Sequence, residues 1–213
     1  MAMVVSPPEQ RIILENISWN LYEQLLAEHG DSVGTRFTYD NGDLEIMVVS
    51  AEHERFNRTL ALLVDLIAAE LDINVDRVGS NTFKRADLLK GFEPDSCFYI
   101  QHHAHVKGKK RLDLSVDPPP DLVIEVDVTS PSLPRFPIFA GVGVPEVWRY
   151  DGERVRFFKL EGEKYAEVEH SPALPPLTSD VATRFLKENE EMDSTDWLRR
   201  VRGWARQTSV EGE

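Results

Sequence analysis

Two periodicities alternate along the chain, and the switches between them mark out its elements. Trp19, Tyr22, Leu25 and Leu26 fall on one face of a helix that Ser18 is suited to cap. From Arg36 to Val48 the pattern changes to β-prone runs split by Asn41-Gly42, a strong hairpin signal. Residues 51–71 return to the helical period, with Phe56, Leu60, Leu63, Val64, Ile67 and Leu71 in one stripe and His53 extending it at the N-terminal end. Short strands are expected at 75–78 and 81–85, divided by Gly79, and another at 95–100. Residues 121–128 read as a strand dense in branched apolar side chains. Residues 144–151 and 154–160 read as a hairpin turning at Asp151-Gly152, with a third strand at 164–169. A short helix is expected within 131–143, interrupted by Pro134 and Pro137. The Pro-rich stretch 171–177 marks a boundary, followed by helices at about 179–192 and 194–207. The last carries an apolar stripe of Trp197, Leu198, Val201 and Trp204 among arginines. Strands and helices interleaved in this way predict an α/β (α+β) class. The expected organisation is a domain over residues 1–170 and a C-terminal helical extension over 171–213.

Composition narrows the function classes. A chain of 213 residues with 41% hydrophobic and 29% charged residues can bury a core without staples. Cys97 is the only cysteine, so no internal disulfide forms, and a reducing cytoplasmic location is expected. No apolar run is long enough to span a bilayer, and the N-terminus lacks the pattern of a secretory signal, so no membrane association is expected. The net charge of −13 works against passive nucleic-acid binding, which draws on clustered Lys and Arg. The polar stretch 102–120, basic in its middle and ending in three prolines, reads as a surface loop with solvated histidines.

Candidate chemistry concentrates on the strand at 121–128. Leu122, Ile124, Val126 and Val128 form one face; Asp121, Val123, Glu125 and Asp127 form the other. Two carboxylates side by side on a covered strand are costly unless a cation, a basic side chain or water offsets them. Glu93-Pro94-Asp95 leads into a second strand, which brings Asp95 to the same place if the two strands are neighbours. Asp95, Glu125 and Asp127 would then offer oxygen ligands of the kind a hard divalent cation such as Mg²⁺ or Mn²⁺ takes. Asp121 reads instead as a loop cap.

Pro94-Asp95 followed by Glu125-Val126-Asp127 resembles the Pro-Asp…(Asp/Glu)-x-Lys nuclease signature with its lysine replaced. The text around it resembles the Uma2-like family, also called domain of unknown function 820. The matching stretches are Tyr39 to Met47 with His53 after it, Gly91 to Asp95, Pro120 to Val126 with Ser130-Pro131-Ser132, and Gly143 to Trp148. The resemblance implies a restriction-endonuclease-like core, a mixed β-sheet flanked by helices, and metal-dependent cleavage of DNA phosphodiester bonds. It makes Asp95 and Glu125 metal ligands, sets Asp127 where the lysine would stand, and brings Glu45 and His53 in as site positions. Relatives often carry a lysine on the following helix, and Arg135 occupies the matching position. Arginine stabilises phosphate charge but stays protonated and makes a poor base; Lys84 is the nearest candidate amine. A homodimer is also in keeping with the fold, since many such nucleases pair to cut both strands. Two alternatives stay open: a catalytically inactive nuclease-fold binding or assembly module, and a hydrolase of a small phosphodiester.

Overall fold

The computed structural model describes residues 10–30, 34–128 and 133–210. The Ser130-Pro131-Ser132 motif and the start of the helix expected at 131–143 lie outside them. In chain order the elements are β1 (Gln10–Leu14), α1 (Trp19–His29), β2 (Thr35–Asp40), β3 (Asp43–Val48), α2 (Ala51–Glu70), β4 (Asp76–Arg77), β5 (Phe83–Arg85), a 3₁₀ turn at Ala86–Leu88, β6 (Lys90–Phe92) and β7 (Ser96–Tyr99). There follow α3 (His103–Val106), β8 (Leu122–Val126), α4 (Arg135–Val142), β9 (Glu146–Tyr150), β10 (Val155–Glu161), β11 (Lys164–Val168), α5 (Ser179–Glu191) and α6 (Ser194–Val210).

Two sheets form where one was expected. The first runs β1-β3-β2-β6-β5; the second runs β11-β10-β9-β8-β7-β4 and is mixed, β8 and β9 being parallel and its other pairings antiparallel. The β2–β3 hairpin closes on two residues because Asp40 pairs with Asp43, and Asn41 and Gly42 both take the positive φ that such a tight turn needs. The β9–β10 connection is longer than Asp151-Gly152 alone. It runs from Asp151 to Arg154, with the Asp151 carboxylate accepting from the N–H groups of Glu153 and Arg154.

β8 sits inside the second sheet with both faces covered. Leu122, Ile124 and Val126 join the larger core with α2, α5 and α6; Val123 joins a second core with Ile138, Phe139 and Val142 of α4. α1 covers one face of the first sheet, packing Tyr22 against Phe37, Tyr39 and Leu44. Phe185, Leu186, Trp197, Val201 and Ala205 of the C-terminal helices belong to the larger core, so residues 179–210 pack on the same interior as β8. The buried Glu146 carboxylate binds Trp148 Nε1 and the Ala173 N–H, fastening the Pro-rich stretch to β9. Among the described residues, no helix is long and apolar enough to cross a membrane.

Candidate active site

The site forms where the two sheets approach each other beside the N-terminal turn of α4. Directly paired residues share a sheet face. Arg11, Met47 and Arg36 make one row across β1, β3 and β2, with Ile13, Glu45 and Thr38 in the row beside it. Arg11 and Met47 line a cavity of about 300 Å³, together with Glu125, Asp127, Leu133, Arg135 and Arg149. From the second sheet, Glu125 on β8 is paired in register with Arg149 on β9, so the two also share a face.

Asp95 lies just before β7, which pairs Ser96 with Ile124 of β8. Its carboxylate is buried and held from two sides: Oδ2 accepts from the Val126 N–H at 2.8 Å, and Oδ1 lies 2.8 Å from His53 Nε2. His53 stands in the first turn of α2, whose cap Ser50 accepts from the His53 N–H. Asn57, one turn on, donates to the Asp95 carbonyl and accepts from Ser96 Oγ. α2 is thus fastened to the segment that carries Asp95.

Glu45 and Arg135 make the second connection. Glu45 is fully buried; Oε2 accepts from the Leu133 N–H at 2.9 Å and Oε1 accepts from Arg135 Nη2 at 2.7 Å. The carboxylate therefore fixes the entry to α4 and aims the guanidinium. Arg135 Nη1 lies 3.5 Å from Glu125 Oε2. Among the described residues, neither Arg135 Nη1 nor Glu125 Oε1 has a hydrogen-bond partner, although both atoms are buried. Burial pushes the Glu125 carboxyl up to about 8; Arg135 opposes the rise and Asp95 adds to it. For Arg135, burial favours loss of the charge, but the carboxylates of Glu125, Glu45 and Asp95 outweigh it and keep the guanidinium protonated.

Two sequence expectations change here. Asp127 does not join Asp95 and Glu125 as a third ligand, and no group of three His, Cys, Asp or Glu among the described residues is placed to hold a metal ion. Its carboxylate is taken by two guanidiniums, with Oδ1 3.3 Å from Arg11 Nη2 and Oδ2 accepting from Arg149 Nη2 at 2.6 Å. Lys84 is also elsewhere. β5 lies at the edge of the first sheet, and Lys84 Nζ is 3.0 Å from Glu23 Oε1 at an exposed position. Among the described residues, no lysine lines the cavity. The site also includes Arg11 and Arg149, which no motif in the sequence marks. Arg149 follows Trp148 in a strand whose pattern is legible; Arg11 lies on β1, a short β-prone run near the N-terminus. Asp121 acts as a loop cap, accepting from the N–H groups of Ile100 and His102. His102 Nδ1 lies 2.5 Å from that carboxylate, and His105 Nε2 lies 3.3 Å from Asp117; these two loop histidines are held by carboxylates.

Part of the donor set suits a divalent cation. Asp95 and Glu125 supply the hard oxygens such an ion takes, and Glu125 Oε1 is buried without a hydrogen-bond partner among the described residues. Carboxylate oxygens carry two lone pairs each, so the contacts to Asp95 leave room for a further one. These two residues fit the ion; Asp127, already neutralised, does not.

A mixed sheet with helices on both faces, and paired acids beside its central parallel strand, define a restriction-endonuclease-like protein. The chain belongs to the Uma2 family, whose model, described as "putative restriction endonuclease", matches residues 19–186. Among solved structures it is similar to one described as "a putative nuclease belonging to DUF820" from Anabaena variabilis ATCC 29413. The two are 10% identical, with 76% of this chain and 96% of that one covered at a TM-score of 0.53, which shows a shared fold. Among the curated proteins, none matches.

Proposed function

We propose that this chain hydrolyses phosphodiester bonds in DNA, with Glu125, Asp95 and Arg135 at the reacting centre. The observation that carries this reading is the buried pair of Glu125 and Arg135, with Arg135 Nη1 3.5 Å from Glu125 Oε2. Both residues line one cavity, and each keeps a buried polar atom without a hydrogen-bond partner among the described residues. Buried polar atoms are costly to leave unpaired, and sites that bind charged ligands keep such atoms in readiness. A divalent ion bound by Asp95 and Glu125 would supply Lewis-acid activation of water. Arg135 would bind a non-bridging phosphate oxygen, held to that task by Glu45. His53 would orient Asp95 from behind; it is a positioning residue.

Among the described residues no lysine lines the cavity, which favours a second reading, a nuclease-fold module that binds without cutting. Incubation of supercoiled plasmid and single-stranded DNA with Mg²⁺ or Mn²⁺ separates the two. The nuclease reading expects wild-type cleavage that falls by roughly 10²–10³-fold in Glu125→Ala, the range for losing one charge-stabilising group. Cleavage that survives this substitution rules out the assignment of Glu125. Binding of duplex with no cleavage in either metal selects the second reading.

A further inference from the structure

One end of the cavity carries groups that the cleavage chemistry leaves unused. Arg11 reaches it from β1 of the first sheet and Arg149 from β9 of the second, with the Asp127 carboxylate between their Nη2 atoms. The Arg11 side chain is 8% exposed, Asp127 20% and Arg149 41%, so the group is closed behind Arg11 and open to solvent at Arg149. Two guanidiniums converging on one doubly oxygenated anion is the arrangement with which proteins hold phosphate. Here a carboxylate of the same chain fills it. The chain as a whole carries a charge of −13, so a polyanion needs a local concentration of positive charge to approach. This trio has one net positive charge as it stands and two when Asp127 is neutralised.

We propose that Arg11 and Arg149 form a phosphate clamp for the nucleic-acid backbone next to the scissile group, with Asp127 as an internal counter-anion that the incoming phosphate displaces. The inference rests on the nucleic-acid reading of the same cavity. It reverses the sense of the residue in the signature position: where a lysine would attract substrate, Asp127 competes with it. A carboxylate in that role weakens binding and favours partners that present a phosphate at the right place over any loose polyanion.

Binding of a fluorescein-labelled single-stranded oligonucleotide, followed by anisotropy in EDTA, tests the clamp without any cleavage. Asp127→Asn is expected to bind about tenfold tighter, since one competing charged contact is removed. Arg149→Gln is expected to bind about tenfold weaker, with a log–log salt slope shallower by about one. In parallel, inorganic phosphate should raise the melting midpoint of Asp127→Asn more than that of wild type, against chloride at equal ionic strength. Asp127→Asn binding no tighter than wild type, with the fold intact, overturns the proposal. If Asp127→Asn fails to fold, the half-exposed Arg149→Gln carries the test, and unchanged affinity there overturns it. Phosphate binding at the clamp without oligonucleotide binding keeps the clamp and removes the nucleic-acid reading. Equal oligonucleotide binding by all variants removes the clamp and leaves that reading standing.

Discussion

Glu125 shows how burial decides the state of a single side chain. Its carboxyl is held up at about 8 against an ordinary value of 4.5, chiefly by loss of water, which outweighs the opposing charge of Arg135 3.5 Å away. In the unfolded chain the same group ionises near its ordinary value. Between pH 4.5 and 8 folding therefore takes up a proton, and stability falls as pH rises. This contribution is full below the lower limit and gone above the upper one. The buried Glu146 carboxyl is also raised and adds to the same slope. Melting midpoints measured across this range should fall for wild type and fall less for Glu125→Gln. A midpoint profile that the substitution leaves unaltered would show that the carboxyl is already ionised in the fold. At the upper end, Mg²⁺ should raise the midpoint of wild type and leave Glu125→Gln unmoved. Glu125 was legible in the sequence because an acid alternating with Val123 on a strand otherwise fit for a core has to be explained by a partner. The partners themselves were not legible. Arg11 and Arg149 meet Asp127 only through pairings between distant segments, and no local period announces that.

The elements carry a different lesson, about close approach. α1 lies on the first sheet with Tyr22 stacked on Tyr39, ring centroids 4.9 Å apart, and with its hydroxyl against β6. A Cβ on Gly91 would sit 2.2 Å from that oxygen, so glycine is what lets the helix come down. Gly91→Ala should cost about 1–3 kcal/mol, as overpacking does in a filled core, read as a loss in a urea-unfolding midpoint. The Tyr22 hydroxyl is buried and has no hydrogen-bond partner among the described residues, so Tyr22→Phe should be neutral or stabilising and should relieve part of the Gly91→Ala cost. A loss in the double variant as large as the sum of the two singles would place the strain elsewhere. Most helices and hairpins were readable from period and turn residues alone. β6 was not, because three residues around Gly91 carry no strand period. Without β6 the edge position of β5 cannot be read, and that edge position is what keeps Lys84 away from the cavity.

At the scale of the molecule, the expected single sheet became two because the β2–β3 hairpin pairs outward, with β1 on one side and β6 on the other, rather than with β7 and β8. No pattern within one strand specifies which sheet it joins. The outcome divides the site between parts of unequal security. Glu125 lies on β8, an interior strand walled by core on both faces. Arg11 lies on β1, an edge strand whose neighbour among the described residues is β3 alone and whose Ile12, Ile13 and Leu14 are 60%, 45% and 38% exposed. Edge strands with little buried surface open at far lower free energy than central ones. In hydrogen–deuterium exchange the amides of residues 10–14 should exchange at least about a hundredfold faster than those of 122–126. Comparable protection in both would show β1 to be as firmly held as the core. Glu125 thus belongs to the last part of the molecule to melt, and Arg11 to one of the first. Fraying of five residues is enough to remove Arg11 from the cavity and free Asp127 on that side, while Glu125 stays on its interior strand and loses one of the positive charges that favour its ionised form.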